Sequence, residues 1–394
     1  MHKSKLMNMV GVTIFFVAIL EIGKKIPLSS YVHTPQSTDG SSLLHFLSTT
    51  MGANLLEPTL FSVGLGPYMT ALILWSALSL LANDRIQNLS EKERGLILRA
   101  LTFLFSVLQA IILTREFRPL MLDASLSQEL LSILILSTGG VIIAWLVDMN
   151  LKFGLGMQMV FYLPGIVQGI LSMLITGETV MPQTSHFSLP RTLGIFLFSL
   201  LFLFLTGFFY QAERRIPVQQ TSVTSSLSDA YIPIRLLNAG VMPFMFTSSL
   251  FQLPQVFFQK DSDIAQFFSL THVTGIVIYG LLFFVLSMGF SYVAVRPHEL
   301  AKTLKESGDY LINTFPGQAT AQLLSRIMVR LAVVGNGYLV VMSVSPLFVG
   351  LFIPAVQRLS FYTGTLFFLL VISDTLVQSF RFVRERTHYT LFED

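Results

Sequence analysis

The sequence predicts an all-α integral membrane protein with ten transmembrane helices. Three observations carry that prediction: a low charge content, apolar runs of membrane length, and no strand pattern. Charged residues fill 12% of the 394 positions and hydrophobic ones 53%, whereas a soluble domain is roughly 25% charged. Ten helices of about 20 residues would use roughly half the chain. The alternating ten-residue strands of an outer-membrane barrel are absent, so helices must hide the backbone amides from hydrocarbon. This composition excludes an ordinary cytosolic enzyme, a disordered tail and a nucleic-acid binder. With no cysteine, disulfides, Cys-ligated zinc, iron–sulfur clusters and thiol catalysis are excluded too.

The first apolar run covers about 6–22. Lys3 and Lys5 precede it as in a signal peptide, but Glu21, Lys24 and Lys25 follow where a small-x-small cleavage site would stand. It is therefore expected to be retained. Next comes a stretch at 41–58, half apolar through Leu43, Leu44, Phe46 and Leu47. It is too short and too polar to cross, and is expected to fold back as a re-entrant piece or lie at the interface. The remaining runs of the first half cover 59–82, 96–114, 129–147 and 157–176. Those of the second half cover 192–210, 237–258, 268–295, 327–350 and 360–380. The expected halves are 1–188 and 189–394.

Lys and Arg placement orients the chain. Of its 25 basic side chains, only Lys24, Lys25, Arg115, Arg118, Arg191, Lys260 and Arg358 fall on one side of the ten spans. The other side is then cytoplasmic, and both termini lie there. Two long inner loops, about 211–236 and 296–326, would project toward a soluble partner. In the first, Arg214-Arg215-Ile216-Pro217-Val218 and Tyr231-Ile232-Pro233-Ile234 flank a Ser/Thr-rich tip and predict a small hairpin. In the second, Pro297 to Gly308 reads as a short helix, started by proline and stopped by glycine.

An ion-coupled pump needs an ionisable side chain at membrane depth. Arg99, Asp148 and Arg330 sit near inner ends, and His272 near an outer start. Asp374 is the deepest candidate, for coupling or for a structural pair with the arginines from Arg381 onward. No phosphate-binding G-x-x-x-x-G-K-[ST] loop is present. His272 lacks Asp or Glu partners at metal-ligand spacing and no G-x-S-x-G occurs, so neither enzyme activity nor a cofactor is expected. The Gly165-x-x-x-Gly169 spacing fits helix packing.

Runs two and seven hold corresponding places in two five-helix halves, and both carry Gly and Pro near their starts: Gly64-Leu65-Gly66-Pro67 and Gly240-Val241-Met242-Pro243. Matched Gly and Pro point to paired, interrupted helices beside a central site. Simple helix packing is the alternative.

The residues around these positions resemble the SecY family of protein-conducting channels. Ile22 to Leu28 is similar to its I-G-[RK]-[RK]-I-P-[LV] segment, and Phe61 to Thr70 to F-A-L-G-I-M-P-Y-I-[ST]. Asn238 to Ser249 is similar to N-x-A-G-V-I-P-x-I-F-A-S-S, and Arg296 to Ala301 to N-P-x-E-[MVI]-A. Gly364-Thr365 with Asp374-Thr375 resembles G-G-T-S…D-T. The matches run in order from end to end. The resemblance implies two inverted halves around an hourglass pore, 41–58 as an external plug, and a seam between spans two and seven opening to lipid. It places a pore ring at Leu65, Met69, Ile166, Met245 and Leu369, and the seam's polar cluster at Thr70, Gln109 and Asn238. An apolar ring can exclude ions by dewetting, and methionine is flexible enough for a seal that must reshape. Helix packing is the plainer reading of the ring positions.

Departures from the pattern suggest which member this is. The family has I-R-P-G-R-P-T in its second long loop; here Thr314-Phe315-Pro316-Gly317-Gln318-Ala319-Thr320 stands in that register. Arginine's five donors cannot be imitated by a phenyl ring. The motor-docking loops then carry Arg214, Arg215, Phe315, Pro316 and Gly317. Gly154-Leu155-Gly156 lacks the Asn of the family's G-I-G-N-G. These features and short loops resemble the accessory channels of Gram-positive bacteria. The implied partners are a SecA-type ATPase, accessory secretion proteins, a serine-rich glycosylated preprotein, lipid, and small SecE/SecG-like subunits, with no nucleic acid. The alternatives are a divergent housekeeping channel and, more remotely, a small-solute transporter coupled through Asp374.

Overall fold

A computed structural model describes residues 2–29, 31, 58–81, 89–121, 125–175, 189–219, 230–257, 270, 272–312, 314–352 and 354–389. The expected plug at 41–58 lies outside the described residues apart from Pro58. A helix occupies each of the ten apolar runs. The first five give α1 (His2–Gly23), α2 (Gly66–Leu81), α3 (Glu91–Glu116), α4 (Leu126–Phe153) and α5 (Leu163–Ile175). Then come α6 (Leu189–Gln211), α7 (Met242–Phe257), α8 (Val273–Val295), the short α9 (Pro297–Ser307), α10 (Gln318–Gly350) and α11 (Pro354–Tyr389). Among the described residues, six stretches, in α3, α4, α6, α8 with α9, α10 and α11, are long and apolar enough to cross a membrane. Shorter apolar helices cover Met7–Gly23 and Met159–Leu171. Two compact units divide the chain: Met1–Met173 with Phe368–Asp394, and Leu174–Phe367.

In the first unit α3 packs on α4 and on α2. Without a hydrophobic drive between helices in lipid, close approach depends on small side chains. α4 supplies them at its buried Ser132, Ser137, Gly139 and Gly140, and Ser106 of α3 donates to the Ser137 carbonyl at 2.8 Å. A backbone clasp closes the chain between α1 and α2. The Leu28 amide donates to Pro58 O and the Leu60 amide to Ile26 O, each at 3.0 Å. The Ile22–Leu28 motif thus ties down the approach to α2, with the Phe61 ring filling the space beside Gly23.

The turn before α5 explains the Asn missing from its Gly-Leu-Gly. Asn150, one turn upstream on α4, donates to Leu155 O at 3.2 Å and to Met157 O at 2.8 Å. The Leu155 amide donates to Thr13 Oγ1 of α1 at 2.8 Å. These bonds hold Gly156 and Met157 at positive φ, 74° and 53°, and a 3-10 turn at Met159–Tyr162 follows before α5. Asn150→Ala leaves the buried Leu155 carbonyl and the more exposed Met157 carbonyl short of a donor, a cost of about 2 kcal/mol. The thermal midpoint of the purified protein in detergent should fall by several degrees; an unchanged midpoint would show the clasp to be idle.

In the second unit α8 packs on α7 and α10. Asn336 of α10 donates to Ser291 Oγ of α8 at 3.0 Å, and Phe244 of α7 meets Phe283 of α8 with centroids 4.5 Å apart. The two long loops build one small platform. Its hairpin, β1 (Glu213–Gln219) with β2 (Tyr231–Arg235), pairs antiparallel from Glu213 opposite Arg235 to Pro217 opposite Tyr231. α9 starts at Pro297 and stops at Gly308, φ 78°, as its sequence predicts. A third strand, β3 (Tyr310–Leu311), pairs with the far end of β1. Ile216, Val218, Ile234, Ala301, Leu311, Ala321, Leu324 and Ile327 form the platform's core. α10 therefore starts at Gln318, nine residues ahead of its apolar run, because its first turns bury Ala321 and Leu324 in this core.

Candidate functional site

The starts of α2 and α7 share one local architecture, each within its own unit. Gly64 takes φ 63° and Gly240 φ 60°, a left-handed conformation costly for any side chain with a Cβ. Two residues later the helix begins, with Pro67 or Pro243 in its second position. There proline forfeits no intrahelical bond and its fixed φ suits the helix. The matched Gly and Pro are thus delayed helix starts rather than breaks inside a helix, and both helices begin later than their apolar runs. The first helical bonds run from the Met69 amide to Leu65 O at 3.1 Å, and from the Met245 amide to Val241 O at 3.4 Å.

Four of the five expected ring residues are buried: Leu65 and Ile166 are 0% exposed, Met69 2% and Met245 3%. Leu369 is half-buried. Leu65, Met69, Ile166 and Leu369 belong to the first unit and Met245 to the second. Within the first unit, the Tyr162 ring meets Phe368 at 5.0 Å. That contact brings the start of α5, one turn before Ile166, to the residue preceding Leu369.

Thr70 and Gln109 meet at one place. The Thr70 hydroxyl donates to Gly66 O at 2.9 Å, and the Gln109 amide lies over Gly66, where a methyl group would stand 3.0 Å from its Oε1. A glycine at 66 is what lets that amide reach the start of α2, a role the sequence pattern did not reveal. Asn238, in the second unit, donates to Arg235 O at 2.6 Å. Thr70 thus lies in the opening turns of α2, Gln109 within α3, and Asn238 just ahead of α7.

The platform presents a mixed surface. Arg215 pairs with Glu213 at 2.9 Å and stacks on the Tyr231 ring at 4.7 Å; bonding to Glu213 raises its guanidinium further above its ordinary range. Arg214 is exposed. Phe315 is 85% exposed, although its carbonyl is fixed by the Thr320 hydroxyl at 2.9 Å. Gly317, at φ 102°, caps the start of α10, and Pro316 is exposed beside it. Ile312, at 51% exposure, adds a second uncovered apolar side chain. Asp374 accepts from the Gln378 amide within its own helix. Among the described residues, no three His, Asp or Glu stand where they could hold a metal ion.

Comparison with known proteins agrees with this architecture. The family model for SecY matches residues 59–376. The chain is 28% identical over 366 residues to the accessory Sec system protein translocase subunit SecY2 of Streptococcus salivarius (strain CCHSS3), covering 89% of each. It is 26% identical over 366 residues to the protein translocase subunit SecY of Lactococcus lactis subsp. cremoris, covering 85% of this chain and 83% of that one. The fold matches a solved structure described as a protein conducting channel, with a TM-score of 0.66 at 14% identity, over 95% of this chain and 92% of that one. With its long apolar helices, the chain is a multi-pass membrane protein, and its relatives are translocation channels rather than enzymes. It belongs to the SecY family.

Proposed function

We propose that the protein is the channel subunit of an accessory Sec translocase, passing an unfolded preprotein across the plasma membrane. Ten spans in two inverted halves, with both termini in the cytoplasm, would enclose the pore. One observation supports this reading: Leu65, Met69 and Met245, at the matched starts of α2 and α7, are apolar and buried, as the residues of a seal would have to be. A ring of Leu65, Met69, Ile166, Met245 and Leu369 closes the resting path by dewetting. Thr70, Gln109 and Asn238 would line the seam; Thr70 and Asn238 rest on local backbone carbonyls, and polar bonds in the membrane are worth about 1 kcal/mol each, weak enough for a hydrophobic signal segment to displace. The chain has no nucleotide loop, so a separate SecA-type ATPase pushes the cargo, which we take to be a glycosylated serine-rich surface protein. Arg214, Arg215, Phe315, Pro316 and Gly317 form its docking surface.

The accessory assignment, as against a divergent housekeeping channel, is supported by the exposed Phe315 where the family carries arginine. Deletion in the source organism tests it. Survival with loss of one glycosylated surface protein is expected, whereas lethality would favour the housekeeping role. A solute transporter is distinguished at Asp374. Its carboxylate is satisfied by Gln378 on the same helix, so Asp374→Asn should leave export within about twofold of the parent, a loss of under 0.5 kcal/mol. Abolished transport would instead make this carboxylate a coupling group.

A further inference from the structure

Each unit, taken by itself, repeats a second feature ahead of its turn. Four residues before Gly64, the carbonyl of Leu60 sits directly on Gly139 of α4; four residues before Gly240, the carbonyl of Leu236 sits directly on Gly335 of α10. A Cβ built on either glycine would overlap that carbonyl oxygen. In each unit the order is then the same: carbonyl on glycine, left-handed glycine four residues on, proline three residues later, methionine two after that. Leu60, Gly64, Pro67 and Met69 repeat as Leu236, Gly240, Pro243 and Met245. Neither socket glycine needs a positive φ, since both lie inside regular helices. They are there for close approach.

We propose that Gly139 and Gly335 are positioning residues for the resting seal: each receives a backbone carbonyl and thereby sets the height of its methionine, Met69 or Met245. A side chain can rotate away from an intruding methyl group, but a backbone carbonyl cannot. Relief requires the turn to retreat by roughly 1 Å, to the 3.3–3.6 Å usual for a carbon against a carbonyl oxygen. Backbone hydrogen bonds brace the turns that would pass on that shift: the Ser62 amide donates to Thr59 O at 3.2 Å and the Gly64 amide to Phe61 O at 3.0 Å in the first unit, and the Phe244 amide to Val241 O at 3.0 Å in the second. In the second unit the socket is seated further by Leu237, whose side chain would lie 3.1 Å from a Cβ on Gly335. Gly337, two residues along α10, has nothing within 4 Å of a Cβ and provides an internal control.

This inference rests on the channel reading, and the experiment separates the two. Purified parent, Gly139→Ala, Gly335→Ala and Gly337→Ala proteins are placed in vesicles, and resting chloride leak and ATPase-driven polypeptide transport are measured on each. The expected result is a leak on the order of tenfold above the parent for each socket variant, none for Gly337→Ala, and transport retained in all. Leu60→Gly and Leu236→Gly, which add no bulk but loosen the seated backbone, should leak a few-fold more than the parent. Socket variants as tight as the parent, or a Gly337→Ala leak equal to theirs, would overturn the inference while leaving the channel reading intact. So would tight Leu60→Gly and Leu236→Gly proteins if the alanine variants do not fold. No transport by the parent with its ATPase would defeat the channel reading itself.

Discussion

Met245→Ser and Leu65→Ser proteins should leak ions at rest well above the parent. Both side chains are almost wholly buried, at 3% and 0% exposure. A narrow path lined by such groups stays dry because water entering it gains no hydrogen bonds. One serine hydroxyl supplies those bonds and lowers the cost of wetting by about 1–3 kcal/mol. At 1.4 kcal/mol per factor of ten, resting leak should rise about 5- to 140-fold. Single-channel recording in planar bilayers reads this directly. Met245→Leu preserves the apolar surface and should stay tight, so a leak in the leucine variant would mean that shape rather than wetting seals the path.

Phe315→Ala should weaken binding of the proposed SecA-type ATPase about 30-fold, equivalent to roughly 2 kcal/mol for loss of an aromatic anchor. An 85% exposed phenyl ring on a loop pinned by Thr320 loses little entropy when a partner covers it. The ring has no role in the platform's own core, so folding should be untouched, and Phe315→Asp should bind still less. Arg214→Ala is a milder change at an exposed charge and belongs to on-rate and salt dependence. Titrating the ATPase against channel in nanodiscs separates the effects. Unchanged affinity for Phe315→Ala would remove the apolar anchor from the docking surface and, with it, the main support for a dedicated motor.

Apolar run length placed a helix at all ten positions, because burying backbone amides in hydrocarbon leaves a chain few options. The Gly-Pro pairs at 64–67 and 240–243 pointed to interrupted helices, but each helix simply starts after its glycine. Proline was expected to break a helix, yet at the second helical position it has no bond to lose. β3 was not legible: two residues, Tyr310 and Leu311, carry no period, and only contact with β1 defines them. The Asn150 clasp was equally hidden, since its partners are carbonyls whose direction depends on the turn at Gly156. Gly66 stood within the quoted motif, but its function is to admit Gln109, more than forty residues away. Residues chosen for what approaches them, rather than for what they do, leave no trace in composition or spacing.

The most direct test of the account is transport by the purified chain in sealed vesicles, with and without its ATPase, read as protease protection of a labelled preprotein. Protection that needs both the ATPase and ATP, with no solute accumulated by the chain alone, is the predicted result. Unaided accumulation of a small solute against its gradient, or a preprotein left fully digested with the ATPase and ATP present, would contradict it.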